Sequence, residues 1–460
     1  MGEYFHSVRL IGNRCKGCVS CTKRCPTEAI RIRGGKAQIT ESRCIDCGEC
    51  IRYCPNRAKT AVTDCLADLA HYEYNVALPA PTLYAQFEVS ISIDDILGAL
   101  LSLGFDEVFE VAQGAELVSA AIRQCLKERQ HKKPLISSAC PAVVRLIQVN
   151  FPELIDHLIP FEAPVEVAAL IVRSQYSEKM KINPEKIGVW FITPCPAKMT
   201  AVKQPLGAAK SHITGAIGIS QIYGDLLKIL HTVPGKDRVV RRRKASWVGI
   251  GWAVAGGETE GVEVPNTLVV HEIHSVNNVL EQVAIGKLKN IDYIETLACA
   301  GGCIGGPLAV ENRFVAEHRM RQRIREIKKQ ETDVFGAEQE NRLAPLEMEV
   351  TQRGAIEPRP VMRLDEDIFK AMHKVELIEK TLERLPGLDC GSCGSPTCKA
   401  LAEDIVQGQA SEMDCVFKLR ERVHELAKEM MNLAEKLPPS LDKEHGKKED
   451  EDENESQGSG

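Results

Sequence analysis

The sequence is that of an ordinary globular protein with an unusual number of cysteines. Its 460 residues are 44% hydrophobic and 27% charged and carry a net charge of -6. This length allows several structural units, and the charge gives no support for binding to nucleic acid, which requires a basic face. The amino terminus lacks an apolar signal region and no apolar run approaches the ~20 residues that span a bilayer, so we expect a cytoplasmic protein without membrane contact. In a reducing compartment the 18 cysteines indicate metal binding rather than disulfides.

Residues 1–62 contain one cysteine run twice, which predicts an α+β domain like a bacterial ferredoxin with two 4Fe-4S clusters. The runs are Cys15-x2-Cys18-x2-Cys21-x3-Cys25-Pro26 and Cys44-x2-Cys47-x2-Cys50-x3-Cys54-Pro55. In this pattern the last cysteine of each run ligates the other cluster. We therefore expect one cluster on Cys15, Cys18, Cys21 and Cys54 and the second on Cys44, Cys47, Cys50 and Cys25. A pair of zinc knuckles is the alternative.

Between residues 66 and 330, apolar runs alternate with amphipathic stretches, a pattern that predicts an α/β domain with a largely parallel sheet. Solitary cysteines follow three apolar strands: Cys140 follows residues 135–136, Cys195 follows 189–192, and Cys299 and Cys303 follow 293–297. Ligands collect at the carboxyl ends of strands in open α/β sheets, so we expect the three loops to converge. One such cysteine alone would more simply be a buried structural residue.

Two of these cysteines are followed by helix-start signals that suit an anionic ligand. Pro141 and Pro196 come directly after a cysteine, and proline favours the first turn of a helix, whose N-terminus attracts negative charge. Lys198 adds a cationic donor three residues after Cys195. An iron-sulfur cube held by four thiolates is anionic, so this arrangement suits it.

The carboxy-terminal part begins with a connector, residues 331–365, and continues with a helix over about residues 366–385. Residues 366–415 end in the spacing Cys390-x2-Cys393-x4-Cys398-x16-Cys415, which predicts a small α-helical domain with a third 4Fe-4S cluster. Gly391 and Gly394 permit tight turns around such a cube. A structural zinc site is the alternative, because four cysteines alone also suit zinc.

A heptad pattern occupies residues 416–437, within a helical segment that we expect to begin near Ser411. Apolar residues alternate three and four positions apart: Val416, Leu419, Val423, Leu426, Met430, Leu433 and Leu437. The pattern predicts a helix that either pairs as a parallel homodimer or packs against its own domain. If it pairs, a redox change in the neighbouring cluster could alter the helix register and pass a signal onward. Residues 438–460 have the composition of a disordered acidic tail.

The central loops SSACP, TPCPAK and ETLACAGGC resemble the three H-cluster loops of iron-only (FeFe) hydrogenases, over about residues 70–315. The resemblance implies an H-cluster, which is a 4Fe-4S cubane joined to a diiron subcluster with CO, CN and a dithiolate bridge. It implies that the cubane is held by Cys140, Cys195, Cys299 and Cys303. Cys303 also bridges to the diiron subcluster.

The resemblance extends to residues that contact the diiron subcluster. It gives Lys198 the role of donating to one cyanide, and it places Pro81 and Thr82 in the segment that contacts the other. Thr193 and Leu297 stand where the family has methionines that pack against the diiron subcluster.

Ala139 is the main departure from the family. The family has a cysteine here that relays protons to the diiron subcluster, and a methyl group can neither give nor take a proton. Gln113 likewise replaces a relay glutamate, although Glu116 remains. This combination resembles the sensory hydrogenases. We therefore expect reversible oxidation of H2 to protons and electrons at low turnover, which reports hydrogen or redox state to a redox or signalling partner.

Two alternatives stay open at the level of the sequence. A different proton route would leave a catalytic, ferredoxin-linked hydrogenase. Loss of the diiron subcluster would leave a non-catalytic electron-transfer or assembly protein, like relatives in eukaryotic iron-sulfur assembly.

Overall fold

The computed structural model describes residues 4–128, 132–232, 243–334, 350, 353–359, 361 and 364–436. Within these ranges the chain forms two compact units, one up to residue 361 and one from Leu364 onwards. Residues 331–334 of the expected connector belong to a helix, and most of the remaining connector, Leu437 and the expected tail of residues 438–460 lie outside the described residues. Among the described residues, no helix has the combination of length and apolar character needed to cross a bilayer.

The amino-terminal part of the first unit consists of two antiparallel ladders around a cysteine-rich core. One ladder pairs Val8 with Ala61, and the other pairs Ile30 with Ile39. The elements are β1 (Val8–Leu10), α1 (Ser20–Lys23), β2 (Ile30–Arg33), β3 (Lys36–Ile39), α2 (Glu49–Arg52) and β4 (Lys59–Ala61). Mixed short strands and helices give the α+β fold that the cysteine repeat predicts.

Two parallel sheets, rather than one, form the scaffold of the central domain. The strands are β5 (Tyr74–Pro79), β6 (Glu107–Val108), β7 (Leu135–Ile136), β8 (Ile187–Thr193), β9 (Gly215–Gly218), β10 (Thr267–His271) and β11 (Tyr293–Leu297). The first sheet has the order β6-β5-β8-β9 and the second the order β10-β11-β7. The α/β class is as predicted, and the division into two sheets corrects the expectation of one.

The longest strand, β8, has the burial expected of a strand inside a parallel sheet. All seven residues of β8 are buried, which is typical of a strand covered on both faces. Trp190 and Ile192 pack into one hydrophobic cluster, and Val189 and Phe191 pack into another, because successive side chains point to opposite faces. The helices of the central domain are α3 (Ile93–Ser102), α4 (Val111–Lys127), α5 (Pro141–Asn150), α6 (Pro164–Met180), α7 (Pro196–Lys203), α8 (Ile219–Thr232), α9 (Trp247–Gly251), α10 (Gly257–Val262), α11 (Ile273–Ala284) and α12 (Arg313–Val334).

The buried carboxylate of Asp46 ties the ferredoxin-like part to the central domain. It accepts hydrogen bonds from the backbone N–H groups of Ser7 at 3.1 Å and Val8 at 3.0 Å, and from Thr200 Oγ1 in α7 at 2.8 Å. The Ser7 hydroxyl donates to the carbonyl of Pro196 at 2.8 Å. The loop between Cys44 and Cys47 is therefore fixed against the helix that follows Cys195.

The second unit contains α13 (Ile368–Arg384), α14 (Cys398–Val406) and α15 (Val416–Ala434). The first of these agrees with the helix predicted over residues 366–385, and its N-cap Asp367 accepts from Phe369 N–H at 2.8 Å. The helical segment expected from Ser411 begins later. Glu412–Asp414 form a single 3-10 turn, and α15 starts only after Cys415.

We expect Asp46→Ala to lower the free energy of unfolding by about 2–4 kcal/mol, because it leaves buried donors without their charged acceptor. The measurement is a denaturant titration of the anaerobic protein. Asp225→Ala removes an exposed carboxylate beside Lys228 and is expected to change stability by less than about 0.5 kcal/mol. Equal losses in the two variants would contradict the role assigned to Asp46.

Candidate functional site

A single cavity in the central domain, here called the central cavity, brings together every residue that the resemblance assigns to the H-cluster. Its lining includes Cys140, Cys195, Cys299, Cys303, Lys198, Pro81, Thr82, Ala139, Thr193 and Leu297. The three cysteine loops follow β7, β8 and β11. They converge although β8 belongs to one sheet and the other two strands belong to the second.

Two of the cysteines lie at helix N-termini. Cys140 is the N-cap of α5 and Cys195 is the N-cap of α7, each with proline at the first helical position. The unsatisfied N–H groups of a first helical turn favour a negatively charged ligand. Both helix starts are as the Cys-Pro pairs predict.

The third loop depends on a glycine. Gly302 has a φ of +96°, and a Cβ added there would lie 2.6 Å from the backbone nitrogen of Ala255. Ile304 N–H donates to the carbonyl of Ala253 at 3.0 Å in the same region. Only glycine allows this close backbone approach, which sets the path of the chain between Cys299 and Cys303.

The thiols around the central cavity are in an environment that opposes negative charge. Burial, together with the charges of Cys299 and Cys140, raises the pKa of Cys195 to about 12. Burial, together with the charge of Cys140, raises the pKa of Cys299 to about 11. Burial also raises the pKa of Cys303 well above its usual value. Four thiolates can coexist here only with a compensating cation, such as the metal of a cluster.

Two polar groups in the cavity fit the diiron subcluster. Burial lowers the pKa of Lys198, and the nearby thiolates of Cys195 and Cys303 act in the opposite direction. Its Nζ donates to the carbonyl of Ala139 at 3.0 Å. The buried Oγ1 of Thr82 has no hydrogen-bond partner among the described residues. An ammonium and an unpaired hydroxyl are the donors that bound cyanides require, so the residues present fit this group.

The ferredoxin-like part contains two smaller cavities, each lined by one predicted cysteine set. The first cavity is lined by Cys15, Cys18, Cys21 and Cys54, and the second by Cys25, Cys44, Cys47 and Cys50. Lys59 lines the first cavity, and its buried Nζ has no hydrogen-bond partner within the described part of the chain. A buried, unpaired ammonium suits an anionic cluster.

The four cysteines of the second unit differ in their burial. Cys398 and Cys415 are buried, Cys393 is half-buried and Cys390 is exposed. Burial raises the pKa of Cys393, and so do the charges of Cys390 and Cys415, so these three thiols lie near one another. Gly391 and Gly394 adopt positive φ angles of 78° and 84°, as tight turns around a cube require. Ligation by this set stays a prediction.

Two buried glutamates in the central cavity were missed by sequence reasoning. Glu258 accepts from the Ser137 hydroxyl at 2.9 Å and from the hydroxyl of Tyr293. Glu295 accepts from Gly256 N–H at 2.9 Å and from Thr259 N–H at 2.8 Å. Both glutamates line the cavity. Glu258 lies outside every motif, and Glu295 is the first residue of the ETLACAGGC loop, in which only the cysteines and Leu297 were assigned roles. Only the folding of distant segments together shows that both carboxylates line the cavity.

Glu258 is suited to hold a proton at neutral pH. Burial and, to a smaller extent, the charge of Glu295 raise its pKa to about 8. Its partner Ser137 accepts a hydrogen bond at 3.3 Å from the backbone N–H of Ala139, the residue that replaces the relay cysteine. Glu116, the expected remnant of the family's relay, instead accepts from Ser246 Oγ at 2.7 Å, and burial raises its pKa to about 7.

Comparisons with known proteins agree with this geometry. Residues 73–213 and 241–307 match the family described as iron only hydrogenase large subunit, C-terminal domain. The central domain belongs to this hydrogenase family. Residues 7–55 match a 4Fe-4S dicluster domain, and residues 385–417 match an Fe-S cluster domain. The chain is therefore an iron-sulfur protein with an iron-only hydrogenase domain between two further cluster domains.

Individual relatives differ in how much of the chain they share. The periplasmic Fe hydrogenase large subunit of Nitratidesulfovibrio vulgaris is 25% identical over 365 residues, which cover 66% of this chain and 86% of that protein. The cytosolic Fe-S cluster assembly factor NAR1 of Botryotinia fuckeliana is 27% identical over 125 residues, covering 27% of this chain and 20% of that protein. A solved FeFe-hydrogenase structure, HydA(deltaEFG), covers 64% of this chain and 98% of its own, with a TM-score of 0.46 and 15% identity.

Proposed function

We propose that the central domain binds an H-cluster and oxidises H2 reversibly at low turnover, and that the protein senses hydrogen or redox state. The observation that carries this proposal is the convergence of four cysteines, Lys198 and Thr82 on one cavity. When bound, the H-cluster supplies the cleavage of H2 into protons and electrons.

Different residues of the cavity have different roles in binding this cofactor. Cys140, Cys195, Cys299 and Cys303 would hold the cubane, and Cys303 would also hold the diiron subcluster. Lys198 and Thr82 would donate hydrogen bonds to the diiron subcluster, while Pro81, Thr193 and Leu297 would pack around it and exclude water. Cys47 lines both the central cavity and the second ferredoxin cavity, so electrons would leave towards the ferredoxin-like part past this residue.

We attribute the proposed low turnover to the residues that would carry protons to the cavity. Ala139 lines the cavity with a methyl group, which cannot relay a proton. Glu258 is the nearest buried carboxyl in the Ser137 network and can hold a proton near neutral pH. We propose that protons pass slowly through Glu258 and Ser137 instead of through the usual cysteine.

A second candidate is a non-catalytic iron-sulfur protein without the diiron subcluster. The partial similarity to the assembly factor NAR1 and the absence of the relay cysteine at position 139 favour it. The cubane and the ferredoxin clusters serve electron transfer or cluster assembly in this case. The two candidates differ in whether CO and CN ligands are bound.

Infrared spectroscopy of protein matured with the diiron subcluster tests the proposal directly. We expect bands from iron-bound CO and CN, because the cavity offers the bridging thiol and both cyanide donors. Cys303→Ala should remove these bands while the ferredoxin clusters persist in the electron paramagnetic resonance (EPR) spectrum. Absence of the bands in the unaltered protein after maturation would favour the second candidate.

Glu258→Gln is expected to lower H2 turnover by about 10²-fold, because an amide keeps the hydrogen bonds but cannot exchange the proton. In the unaltered protein, turnover should fall as pH rises above about 8, where Glu258 loses its proton. The measurement is gas exchange between H2 and labelled water. Glu116→Gln is the matched control. A larger loss of turnover in this variant than in Glu258→Gln would show that protons pass through Glu116 instead.

We also propose that a second copy of the chain pairs through α15. No residue of this helix is buried. Its heptad positions nevertheless form one apolar stripe, which consists of Val416, Leu419, Val423, Leu426, Met430 and Leu433. Leu419 is 47% exposed, Val423 56% and Leu426 42%. Valine at a and leucine at d favour a two-stranded parallel coiled coil. This exposure does not support the alternative, in which the helix packs against its own domain.

Leu426→Glu should convert a dimer into a monomer, because it places a charge in the middle of the apolar seam. Light scattering after gel filtration measures the mass. Lys428→Glu changes a neighbouring residue outside the seam and should leave the mass unchanged. A monomeric mass for the unaltered protein would exclude the pairing.

A further inference from the structure

Arg52 reaches from the ferredoxin-like part to the third cysteine loop of the central domain. It is the last residue of α2, and its side chain is 22% exposed. Its guanidinium donates to the carbonyl of Gly305 and to the carboxylate of Glu49, and the charge of Cys299 acts on it. A charged group of one domain thus lies beside the loop that carries a predicted cubane ligand of the other.

The surroundings hold this side chain in place. Gly48 has a φ of +77°, and a Cβ added there would lie 2.3 Å from Pro307 Cγ and 3.1 Å from Pro196 Cγ. The start of α2 is therefore pressed against both the second and the third cysteine loops. Two hydrogen bonds from a planar guanidinium, to Glu49 and Gly305, fix its orientation better than one ammonium contact does.

Two charges of opposite sign act on Cys299 from this helix. The positive charge of Arg52 is the main influence that opposes the effect of burial on the pKa of Cys299, and the negative charge of Glu49 acts in the opposite direction. Glu49 is only 3% exposed, so little solvent screens it. A nearby cation stabilises the more negative, reduced state of a cluster, and a nearby anion destabilises it.

We propose that Arg52 is a positioning residue that raises the reduction potential of the cubane through Cys299, and that Glu49 lowers it. The potential of the central site then depends on the ferredoxin-like part being docked against it. This proposal rests on the proposed cubane ligation, but not on the diiron subcluster or on H2 turnover.

The test compares Arg52→Gln with Glu49→Gln in the full chain, reconstituted with iron and sulfide and without the diiron subcluster. Redox titration followed by EPR gives the midpoint potential of the cubane, whose signal is the one that disappears in Cys140→Ala. We expect a shift to more negative potential in Arg52→Gln and to more positive potential in Glu49→Gln. A structural disturbance alone would not give shifts of opposite sign.

Two further variants complete the design. Arg52→Lys keeps the charge and should shift the potential less than Arg52→Gln. Arg24→Gln removes an arginine that stacks on Tyr53 in the same domain, and it should leave the cubane potential unchanged. Shifts of the same sign in Arg52→Gln and Glu49→Gln, or no shift in either, would overturn the role of Arg52. Absence of the cubane signal from the unaltered protein would overturn the proposed ligation and, with it, this inference.

Discussion

Charge compensation around buried sulfur is the interaction on which the rest of this structure depends. Thiols line the central cavity and both ferredoxin cavities, where burial opposes their ionised form. Lys198, Lys59 and Arg52 bring cationic groups to these same places. Cluster binding and folding are therefore linked, because thiolates that ligate metal gain the compensation that the protein alone supplies only in part.

The interface between the ferredoxin-like part and the central domain also brings charged groups close to the cysteines. Asp46 fixes the loop of the second ferredoxin set against α7, and Gly48 lets α2 approach the prolines of two cysteine loops. Cys47 consequently forms a wall of two cavities. A close, rigid approach of this kind favours electron exchange between neighbouring clusters, and it also lets charges of one domain act on a ligand of the other.

The residues expected to bind the cubane and those expected to move protons fit the family pattern to different degrees. All the cysteines expected around the cubane line the cavity, whereas the residue before Cys140 is an alanine. Proton movement needs an unbroken chain of groups that both give and take protons, so one methyl group interrupts it. The buried pair of Glu258 and Glu295 keeps ionisable groups at the cavity, and the proton route that we propose runs through Glu258.

The sequence by itself determined the local chemistry of this protein. Cysteine spacing predicted the clusters of the ferredoxin-like part, Cys-Pro pairs predicted the starts of α5 and α7, and the loop resemblance predicted the lining of the central cavity. These features depend on residues close together in the chain. Only the tertiary structure decided that the scaffold has two sheets, that Glu258 meets Ser137 and that Arg52 meets Gly305 in the third cysteine loop. The last two contacts join residues that are 121 and 253 positions apart, and no local pattern records which distant segments will pack together.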